Sequence, residues 1–448
     1  MAGKTNNMTE GNVFKLLFVF FLPIFLGNLF QQAYSMVDSV IVGKGIGDNA
    51  LAAVGATGII NFLLLGFIFG LTGGFGIHMS QSFGAGDFRK LKRQIVVATI
   101  LSAVIGIIST IACLAIIRPL FLMVDTPLDI IEDAIAYFRI ILYGILISLF
   151  CNLAYTILRA VGNSRTPLAA TVVSSIINII LDFILVIPLH MGVEGAAIAT
   201  VASQLIAALI CLRTICKIDE LKITRADFHF AWQPAKEMLG TGVPVAIMNG
   251  ITAGGCLILQ TIVNRMGSEY VASYAACSKI LALFEQTSFA VGMTMLTFVG
   301  QNLGAGRIDR VRDGVRKGLI MATVLNIPLA LSEIFMPKLL VGIMLNSAQT
   351  ISYSAEFLPI TGAGIFALGY LFVFRCSLQG LGNTILPMFS GLVEVIMRFV
   401  FGLTVGVISY RGIAFSEIAA WIGAWLFLMA SYFYVIHKKG KTNKRIFD

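Results

Sequence analysis

The chain has 448 residues, of which 58% are hydrophobic and only 12% charged, whereas a soluble domain carries about 25% charged residues. This composition, with a mean hydropathy of +0.90, excludes an ordinary soluble protein and predicts a polytopic membrane protein. The net charge of +9 does not indicate a nucleic-acid partner, because the basic residues follow the expected membrane topology. The seven cysteines show neither CxxC nor Cys/His ligand spacing, so neither a disulfide framework nor a zinc site is indicated.

The polar N-terminus lacks the charged start, short apolar core and small-residue cleavage site of a secretory signal, so it is predicted to be a tail of the mature protein. After it, apolar runs of the roughly 20 residues needed to cross about 30 Å of hydrocarbon occur twelve times. An all-α fold of twelve transmembrane helices is therefore expected. The predicted spans are 14–42, 51–79, 95–117, 130–158, 167–187, 193–213, 238–264, 270–299, 318–337, 354–378, 386–408 and 413–436.

Most of the lysines and arginines fall on one side of these spans, Arg159 and Arg375 among them. The positive-inside rule makes that side cytoplasmic, and an even number of spans then places both termini there. Pro23 and Pro244 lie inside the first and seventh spans and are expected to bend them. The predicted organisation is a cytoplasmic N-terminal tail (1–13), an N-lobe (14–215), a cytoplasmic linker (216–237), a C-lobe (238–436) and a basic cytoplasmic C-terminal tail (437–448).

The two halves of the sequence repeat at a constant offset. Gln81–Gly86 (QSFGAG) after the second span is matched by Gln301–Gly306 (QNLGAG), 220 residues later, and Arg159–Asn163 after the fourth span is matched at the same offset by Gln379–Asn383. Both pairs are interpreted as structural turns in which glycine allows positive φ, because no strand precedes them as a phosphate-binding loop would require. Since each half holds six spans, the halves share one topology and are related by a pseudo-twofold axis along the membrane normal.

Asp38 lies near the end of the first span, within the segment Pro23–Gly43. A carboxylate on a membrane-length helix costs about 2.5–3.5 kcal/mol on insertion scales, so such a residue usually faces a cavity and has a function. Counting about 1.5 Å per residue from the span ends puts four further oxygen-bearing side chains of the first half at a similar depth. They are Tyr137, Asn178, Asp182 and Thr200.

If these side chains converge, two chemistries are open. Two carboxylates in a partly dry pocket cannot both carry a charge at low cost, so one would bind and release a proton. Alternatively, carboxylate, amide and hydroxyl oxygens together suit a hard cation such as Na⁺, whose ligands would be Asp38, Asn178, Asp182 and Thr200. The plainer alternatives are that Asp38 merely reaches the headgroups and that Thr200 and Tyr137 are ordinary interhelical hydrogen bonders.

The second half does not repeat this set, since Asp182 corresponds to Gly402 at the 220-residue offset. Ion chemistry is therefore predicted in the first half. Glu394 and Arg398 lie four residues apart on one predicted helix and are expected to pair. Glu285 lies near the middle of the eighth span, where a purely structural role is harder to argue. Methionines of the second half could line an adaptable cavity, although such residues are more often core. They are Met248, Met293, Met295 and Met397.

On these residues the chain resembles the multidrug and toxic compound extrusion (MATE) family over essentially its whole length. The most specific match is Pro23–Gly43 followed by Gly47–Gly55 (GDNALAAVG). The repeated QxxGAG pieces, Arg159–Asn163 and the run Asn178–Asp182 (NIILD) add to it. Within the family the sequence looks like the bacterial DinF-like and Gram-positive multidrug exporter branches.

The resemblance implies secondary active efflux of organic cationic or amphipathic small molecules, by antiport against H⁺ or Na⁺ with alternating access of two lobes. In family members with an N-lobe site, the first-span Asp and the Asn-xxx-Asp of the fifth span carry the coupling ion, and these match Asp38, Asn178 and Asp182. Thr200 and Tyr137 look like further family positions near that site, whereas the seventh-span coupling Glu of some branches has no counterpart in Val245–Val263. Candidates for the substrate cavity are Gln32, Tyr34, Asn152, Tyr155, Met248, Glu285 and Met293.

The same resemblance implies a multi-pass protein of the plasma membrane that acts as a monomer in the lipid bilayer. No enzymatic activity, no nucleic-acid partner and no cofactor besides the coupling ion is expected. A lipid-linked oligosaccharide flippase of the same superfamily is the alternative, and twelve rather than fourteen spans and few intramembrane lysines or arginines argue against it. A passive channel would need a continuous polar stripe, whereas these spans show isolated polar residues.

Overall fold

A computed structural model describes residues 5–124, 126–224, 227 and 230–447, without the side chains of residues 48, 59 and 440–447. The start of the predicted N-terminal tail, part of the predicted linker and the last side chains of the C-terminal tail thus lie outside the described residues. Within this description the chain is helical and has no strand. The expected all-α fold is confirmed.

Fifteen α-helices follow one another along the described chain. They are α1 (Val13–Gly45), α2 (Asp48–Gly84), α3 (Phe88–Ala115), α4 (Ile117–Met123), α5 (Ile131–Tyr143), α6 (Ile145–Ala160), α7 (Arg165–Val186), α8 (Gly192–Ile215), α9 (Trp232–Asn264), α10 (Ser268–Gly304), α11 (Ile308–Phe335), α12 (Pro337–Gly342), α13 (Ala348–Gly380), α14 (Ile385–Phe401) and α15 (Tyr410–Phe447). A short 3₁₀ turn at Asp219–Leu221 follows α8, and a π-helical turn at Gly402–Gly406 continues α14.

Eleven of these helices are long and apolar enough to cross a membrane, and α5 with α6 supplies a twelfth span that is bent by 51°. The twelve predicted spans are confirmed, each on helices at the expected place. The bend in the fourth span, which the sequence pattern does not predict, falls at Gly144. A Cβ at Gly144 would lie 2.4 Å from Cγ2 of Val201, so glycine is needed there for α8 to pack closely against the break.

The chain forms two compact units that divide within helices. Unit 1 comprises Met1–Asn7 and Leu26–Val243, and unit 2 comprises Met8–Phe25 and Pro244–Asp448. The boundaries cut α1 and α9, whose predicted spans (14–42 and 238–264) each lay within one predicted lobe, and they fall beside the prolines that these helices contain. Proline removes a backbone hydrogen bond from a helix interior, so each helix changes unit where its own hydrogen bonding is weakest.

The repeat is visible in the helix bounds and in the backbone geometry. Helices α3 and α11 begin and end 220 residues apart, and in the turns before them Gly86 and Gly306 both have a φ of 71°. The turns before α7 and α14 match in the same way, with a φ of 80° at Gly162 and 81° at Gly382. Residues with a Cβ rarely adopt this region, so the four glycines serve as the structural turns that the sequence predicts.

Large apolar side chains remain exposed along the spans, among them Phe62, Phe183 and Ile396. Such a surface would be costly in water, whereas lipid tails are as apolar as these side chains and solvate them well. Polar side chains are instead buried inside each unit, as at Asp182 in unit 1 and Glu394 in unit 2. The fold therefore places these two acids in dry surroundings within the bundles.

Candidate functional site

Two carboxyl groups meet inside unit 1. Asp38 lies on the second half of α1 and Asp182 near the end of α7, and their side chains are close enough to share a hydrogen bond. Asp182 is fully buried, and Asp38 is half-buried. An ionised carboxylate has no hydrogen to donate, so a hydrogen bond between the two groups requires that one of them holds a proton.

Among the described residues, neither carboxyl group is paired with a basic side chain. Apart from the two acids themselves, no N–H or O–H group of the described chain donates to either oxygen of Asp182 or to Oδ1 of Asp38. Because an isolated buried carboxylate costs far more than a paired one, this pair needs a proton or a bound cation.

Two tyrosines border the acids, and a threonine lies beside one of the tyrosines. Tyr137 of α5 is buried, and its hydroxyl lies near both carboxyl groups and within hydrogen-bonding reach of Thr200 on α8. Tyr34, one turn before Asp38 on α1, also lies near both acids. The structure thus brings Tyr137 to the acid pair with Thr200 beside it, and it adds Tyr34, which the sequence analysis assigned to the substrate cavity.

Asn178 lies one turn before Asp182 on α7 and is almost fully buried. Neither Oδ1 nor Nδ2 of its amide has a hydrogen-bond partner within the described chain. Residues four apart occupy the same face of a helix, so α7 presents an amide and a carboxyl group in line. A buried amide without a partner is as costly as a lost hydrogen bond, and an ion ligated by its oxygen would recover that cost.

Two of the remaining substrate-cavity candidates in unit 1 are tied into helix packing. The Asn152 amide donates to the Thr72 hydroxyl of α2, and the Tyr155 hydroxyl lies 3.2 Å from Oγ1 of Thr171 on α7. Gln32 is half-buried on α1, between Pro23 and the acid cluster. The structure therefore places Asn152 and Tyr155 between helices and leaves Gln32 on the helix that carries Asp38.

Unit 2 holds a chain of buried ion pairs instead. Nη1 of Arg398 lies 3.4 Å from Oε2 of Glu394, Nη2 of Arg398 lies 3.0 Å from Oε2 of Glu417, and Arg375 pairs with Oε1 of Glu394. The expected pairing of Glu394 with Arg398 is confirmed. Arg375, which was counted with the basic residues of the predicted cytoplasmic side, is buried against α14, because α13 continues to Gly380.

The substrate-cavity candidates of unit 2 differ in exposure. Glu285 of α10 is half-buried and lies close enough to Arg398 to interact with its charge. Met293 is also half-buried. Met248 is buried, and a Cβ on Gly391 would lie 3.3 Å from its Cγ. This packing favours the core interpretation for Met248.

The sequence pattern does not single out two further acids of unit 2. Glu417 closes the ion-pair chain. Glu333, near the end of α11, is fully buried, and its Oε2 lies 2.9 Å from Oγ1 of Thr361. Both could have been identified as acids inside apolar runs. Glu333 lies near the end of its predicted span, however, so the sequence is equally consistent with a position among the lipid headgroups.

A helical bundle of twelve spans built as a repeat, with a pair of acids buried in one half, is typical of a polytopic membrane transporter. The family model MatE matches residues 23–184 and 244–404, one match in each half of the repeat. The chain therefore belongs to the MatE family, the multidrug and toxic compound extrusion transporters.

Related chains agree with this assignment. The sequence is 30% identical to the probable multidrug resistance protein YpnP of Bacillus subtilis (strain 168) over 310 residues, which cover 69% of each chain. It is 26% identical to the probable multidrug resistance protein YoeA of the same strain, over 86% of this chain and 84% of that one. The structure is similar to the crystal structure of MATE in complex with MaL6, with a TM-score of 0.91, 21% identity, and coverage of 98% of this chain and 100% of that one. At that identity the likeness bears on the fold alone, and the MATE fold is confirmed.

Proposed function

We propose that this chain exports organic cationic or amphipathic small molecules across the plasma membrane in exchange for H⁺. Membership of the family and two relatives named as probable multidrug resistance proteins support the export of drug-like compounds. The observation that carries the coupling is the pair of Asp38 and Asp182, adjacent carboxyl groups with no basic partner among the described residues.

One proton changes the interaction between these two groups from repulsion to attraction. Two ionised carboxylates repel each other, whereas a shared proton supplies the hydrogen bond that neither receives from the rest of the described chain. Proton binding thus favours the arrangement in which Asp38 and Asp182 touch, and proton release favours their separation. A ligand shifts a conformational equilibrium only through such a difference in affinity.

The movement that follows from proton binding is expected on α1. Pro23 leaves the helix without one backbone hydrogen bond, so bending there costs less than elsewhere. Gln32 and Tyr34 lie on α1 between Pro23 and Asp38, and a shift of Asp38 towards Asp182 would displace them. If these two side chains contact the substrate, proton binding lowers the affinity for substrate, and the exchange of one for the other follows.

Na⁺ is the second candidate for the coupling ion, and Asn178 is the observation that favours it. Its amide oxygen is buried one turn from Asp182 and has no hydrogen-bond partner in the described part of the chain. With the carboxyl groups and the hydroxyls of Tyr137 and Thr200, it would complete a ligand set of oxygen atoms. Hard cations prefer such a set.

Transport in proteoliposomes, with a H⁺ gradient and a Na⁺ gradient imposed separately, tests the proposal. We expect a H⁺ gradient to drive the movement of a fluorescent cationic dye, and Asp38→Asn to abolish that movement while the protein remains folded and monodisperse. Dye movement driven by a Na⁺ gradient but not by a H⁺ gradient would identify Na⁺ rather than H⁺ as the coupling ion. Undiminished gradient-driven movement in Asp38→Asn would contradict the proposal for both ions.

Glu132→Gln is the matched control variant. Glu132 also belongs to unit 1, but it is exposed and pairs with Arg118 at 3.0 Å. An exposed ion pair contributes about 0–1 kcal/mol, so neither folding nor transport should change. Loss of transport in this variant as well would mean that any lost acid of unit 1 impairs the protein, and the special role of Asp38 would have to be abandoned.

The flippase alternative is separated by its substrate in the same vesicles. It requires cationic groups free to bind a pyrophosphate-linked oligosaccharide, whereas the buried arginines of unit 2, Arg375 and Arg398, are engaged by glutamates. We therefore expect no gradient-dependent movement of a lipid-linked oligosaccharide. Movement of that lipid without movement of the dye would favour the flippase.

A further inference from the structure

Unit 2 contains a buried acid that the ion-pair chain does not use. Glu333 is 0% exposed, and it joins none of the ion pairs found among the described residues. Its Oε2 lies 2.9 Å from Oγ1 of Thr361 on α13, and its Oε1 has no hydrogen-bond partner in that part of the chain. A charged carboxylate in such a place is far more costly than a neutral carboxylic acid.

The Thr361 hydroxyl has one hydrogen and two acceptors within reach. Besides Glu333, the carbonyl oxygen of Leu358 lies 3.0 Å from Oγ1. When Glu333 is protonated, its O–H donates to Thr361 Oγ1, which donates in turn to Leu358, so both hydrogens are used. When Glu333 is ionised, the Thr361 hydrogen turns to the carboxylate and supplies its hydrogen bond. The arrangement therefore accommodates both protonation states by rotation of one hydroxyl.

No basic side chain offsets the charge of Glu333 within the described residues. On α10, Cys277 is close enough to interact with it. On α12, Lys338 is exposed, and on α15, Arg411 is exposed and pairs with Glu356 of α13 at 3.0 Å. The groups that face the acid are thus a hydroxyl and a thiol rather than a cation.

Further polar side chains follow Glu333 along one face of α11. Asn326, two turns earlier, is buried and donates to the carbonyl oxygen of Ile365 at 3.1 Å, while its Oδ1 has no partner among the residues described. Nearly one turn before Asn326, the Thr323 hydroxyl lies 2.8 Å from the Tyr370 hydroxyl of α13. The polar groups between α11 and α13 therefore extend about 15 Å along α11 from Glu333, at about 1.5 Å per residue.

Two glycines of α13 make room for this line of polar groups. A Cβ on Gly362 would lie 2.8 Å from Cβ of Glu333, and a Cβ on Gly369 would lie 2.6 Å from Nδ2 of Asn326. Any larger residue would push the two helices apart at these points. The close approach of α13 thus excludes lipid and encloses both polar side chains.

We propose that Glu333 is a proton-binding site of this transporter, located in unit 2 and separate from the acid pair of unit 1. The site takes up one proton on its carboxylate, with Thr361 as the hydrogen-bond partner in both states. Asn326 extends the polar surroundings of the site along α11. This inference goes beyond the function proposed above, because it holds whether Asp38 and Asp182 couple to H⁺ or to Na⁺.

Infrared difference spectroscopy of the full chain in lipid, between high and low pH, tests the inference. A protonated carboxyl group has a C=O stretching band that the carboxylate lacks. We expect Glu333→Gln to remove one such band from the difference spectrum, and Thr361→Val to shift the same band in frequency without removing it. The measurement uses neither substrate nor gradient, so it does not depend on the proposed antiport, and the Asp38→Asn variant should keep the Glu333 band.

Glu356→Gln is the matched control, since Glu356 lies in the same unit and already has Arg411 as a partner. Its difference spectrum should keep the band that Glu333→Gln removes. A spectrum of Glu333→Gln identical to that of the unchanged protein would overturn the inference, and so would a band that Thr361→Val does not move. If Glu333→Gln does not fold, Glu333→Asp replaces it: a shifted band supports the site, and an unshifted band overturns it.

Discussion

The two units share a fold but surround their buried acids in opposite ways. In unit 2, Glu394 and Glu417 are held by two arginines. In unit 1, Asp38 and Asp182 lie side by side without a basic partner among the described residues. Of the helices concerned, α7 and α14 correspond in the repeat, and at the 220-residue offset Asp182 corresponds to Gly402. The repeat therefore extends to the backbone and not to the polar side chains.

The difference separates acids that stabilise packing from acids that can change it. An acid held by an arginine keeps its charge, and the packing around it does not depend on a solute. An acid without such a partner is stable only with a proton or a bound cation, so the packing around it responds to that ion. By this criterion Glu333, which lies in unit 2, resembles the acids of unit 1 rather than its neighbours in the ion-pair chain.

The largest effect on stability is expected from Arg398→Met. This change leaves Glu417 without its partner at 3.0 Å, and removal of one member of a buried ion pair typically costs about 3–5 kcal/mol. Equilibrium unfolding in mixed detergent micelles measures the free energy of unfolding. A loss below about 1 kcal/mol, typical of an exposed pair, would contradict the assignment of this network to packing.

The double variant Arg398→Met with Glu417→Gln is the control for that prediction. It removes both charges, and apolar or neutral replacements of a buried ion pair are often neutral in stability. Much of the lost free energy of unfolding should therefore return. A double variant as unstable as the single one would mean that the shape of the arginine, rather than the uncompensated charge, is responsible.

An intermediate effect, equal in the two units, is expected from alanine in the repeated turns. Gly86 and Gly306 share a φ of 71°, and a Cβ in the left-handed region costs about 1–2 kcal/mol. Gly86→Ala and Gly306→Ala should each lower the free energy of unfolding by about that amount. Gly250→Ala is the control, because Gly250 is helical within α9 and a Cβ there meets no other atom within 4 Å. Clearly unequal losses at the two turns would break the equivalence of the units.

The smallest effect on stability is expected from Asp182→Asn. The amide keeps the shape of the neutral acid and can donate to Asp38, so the hydrogen bond of the protonated pair is retained. The free energy of unfolding should stay nearly unchanged, in contrast to Arg398→Met, while gradient-driven dye movement in proteoliposomes is lost. A large loss of stability would show that Asp182 holds the fold together and would remove the contrast between the units.

Much of the architecture could be predicted because it depends on quantities that a sequence displays directly. A span needs about 20 apolar residues, and the twelve runs that meet this length became helices. The constant offset of 220 residues predicted the repeat, and the matching φ angles at Gly162 and Gly382 show that it extends to the turns. Asp38 and Asp182 could be found for the same reason, since an acid in an apolar span is costly wherever the helix lies.

Other features could not be predicted because they depend on the neighbouring helix. Arg375 lies near the end of the predicted tenth span and was counted with the basic residues of the cytoplasmic side, and only the pairing with Glu394 explains its burial. Glu333 could equally have lain among the headgroups, and α13 decides otherwise by covering it. The sequence does not show what lies beside Tyr34, and the fold brings it close to Asp38 and Asp182.

The amino-acid sequence was sufficient for the class of protein, the number of spans, the repeat and the residues that are too polar for their surroundings. These follow from the hydrophobic effect and from local backbone conformation, which act on short stretches of chain. The tertiary structure alone decided which of the polar residues have partners. A partner lies on another helix, as Thr361 does for Glu333, and whether a buried acid is locked in place or free to bind an ion depends on that contact.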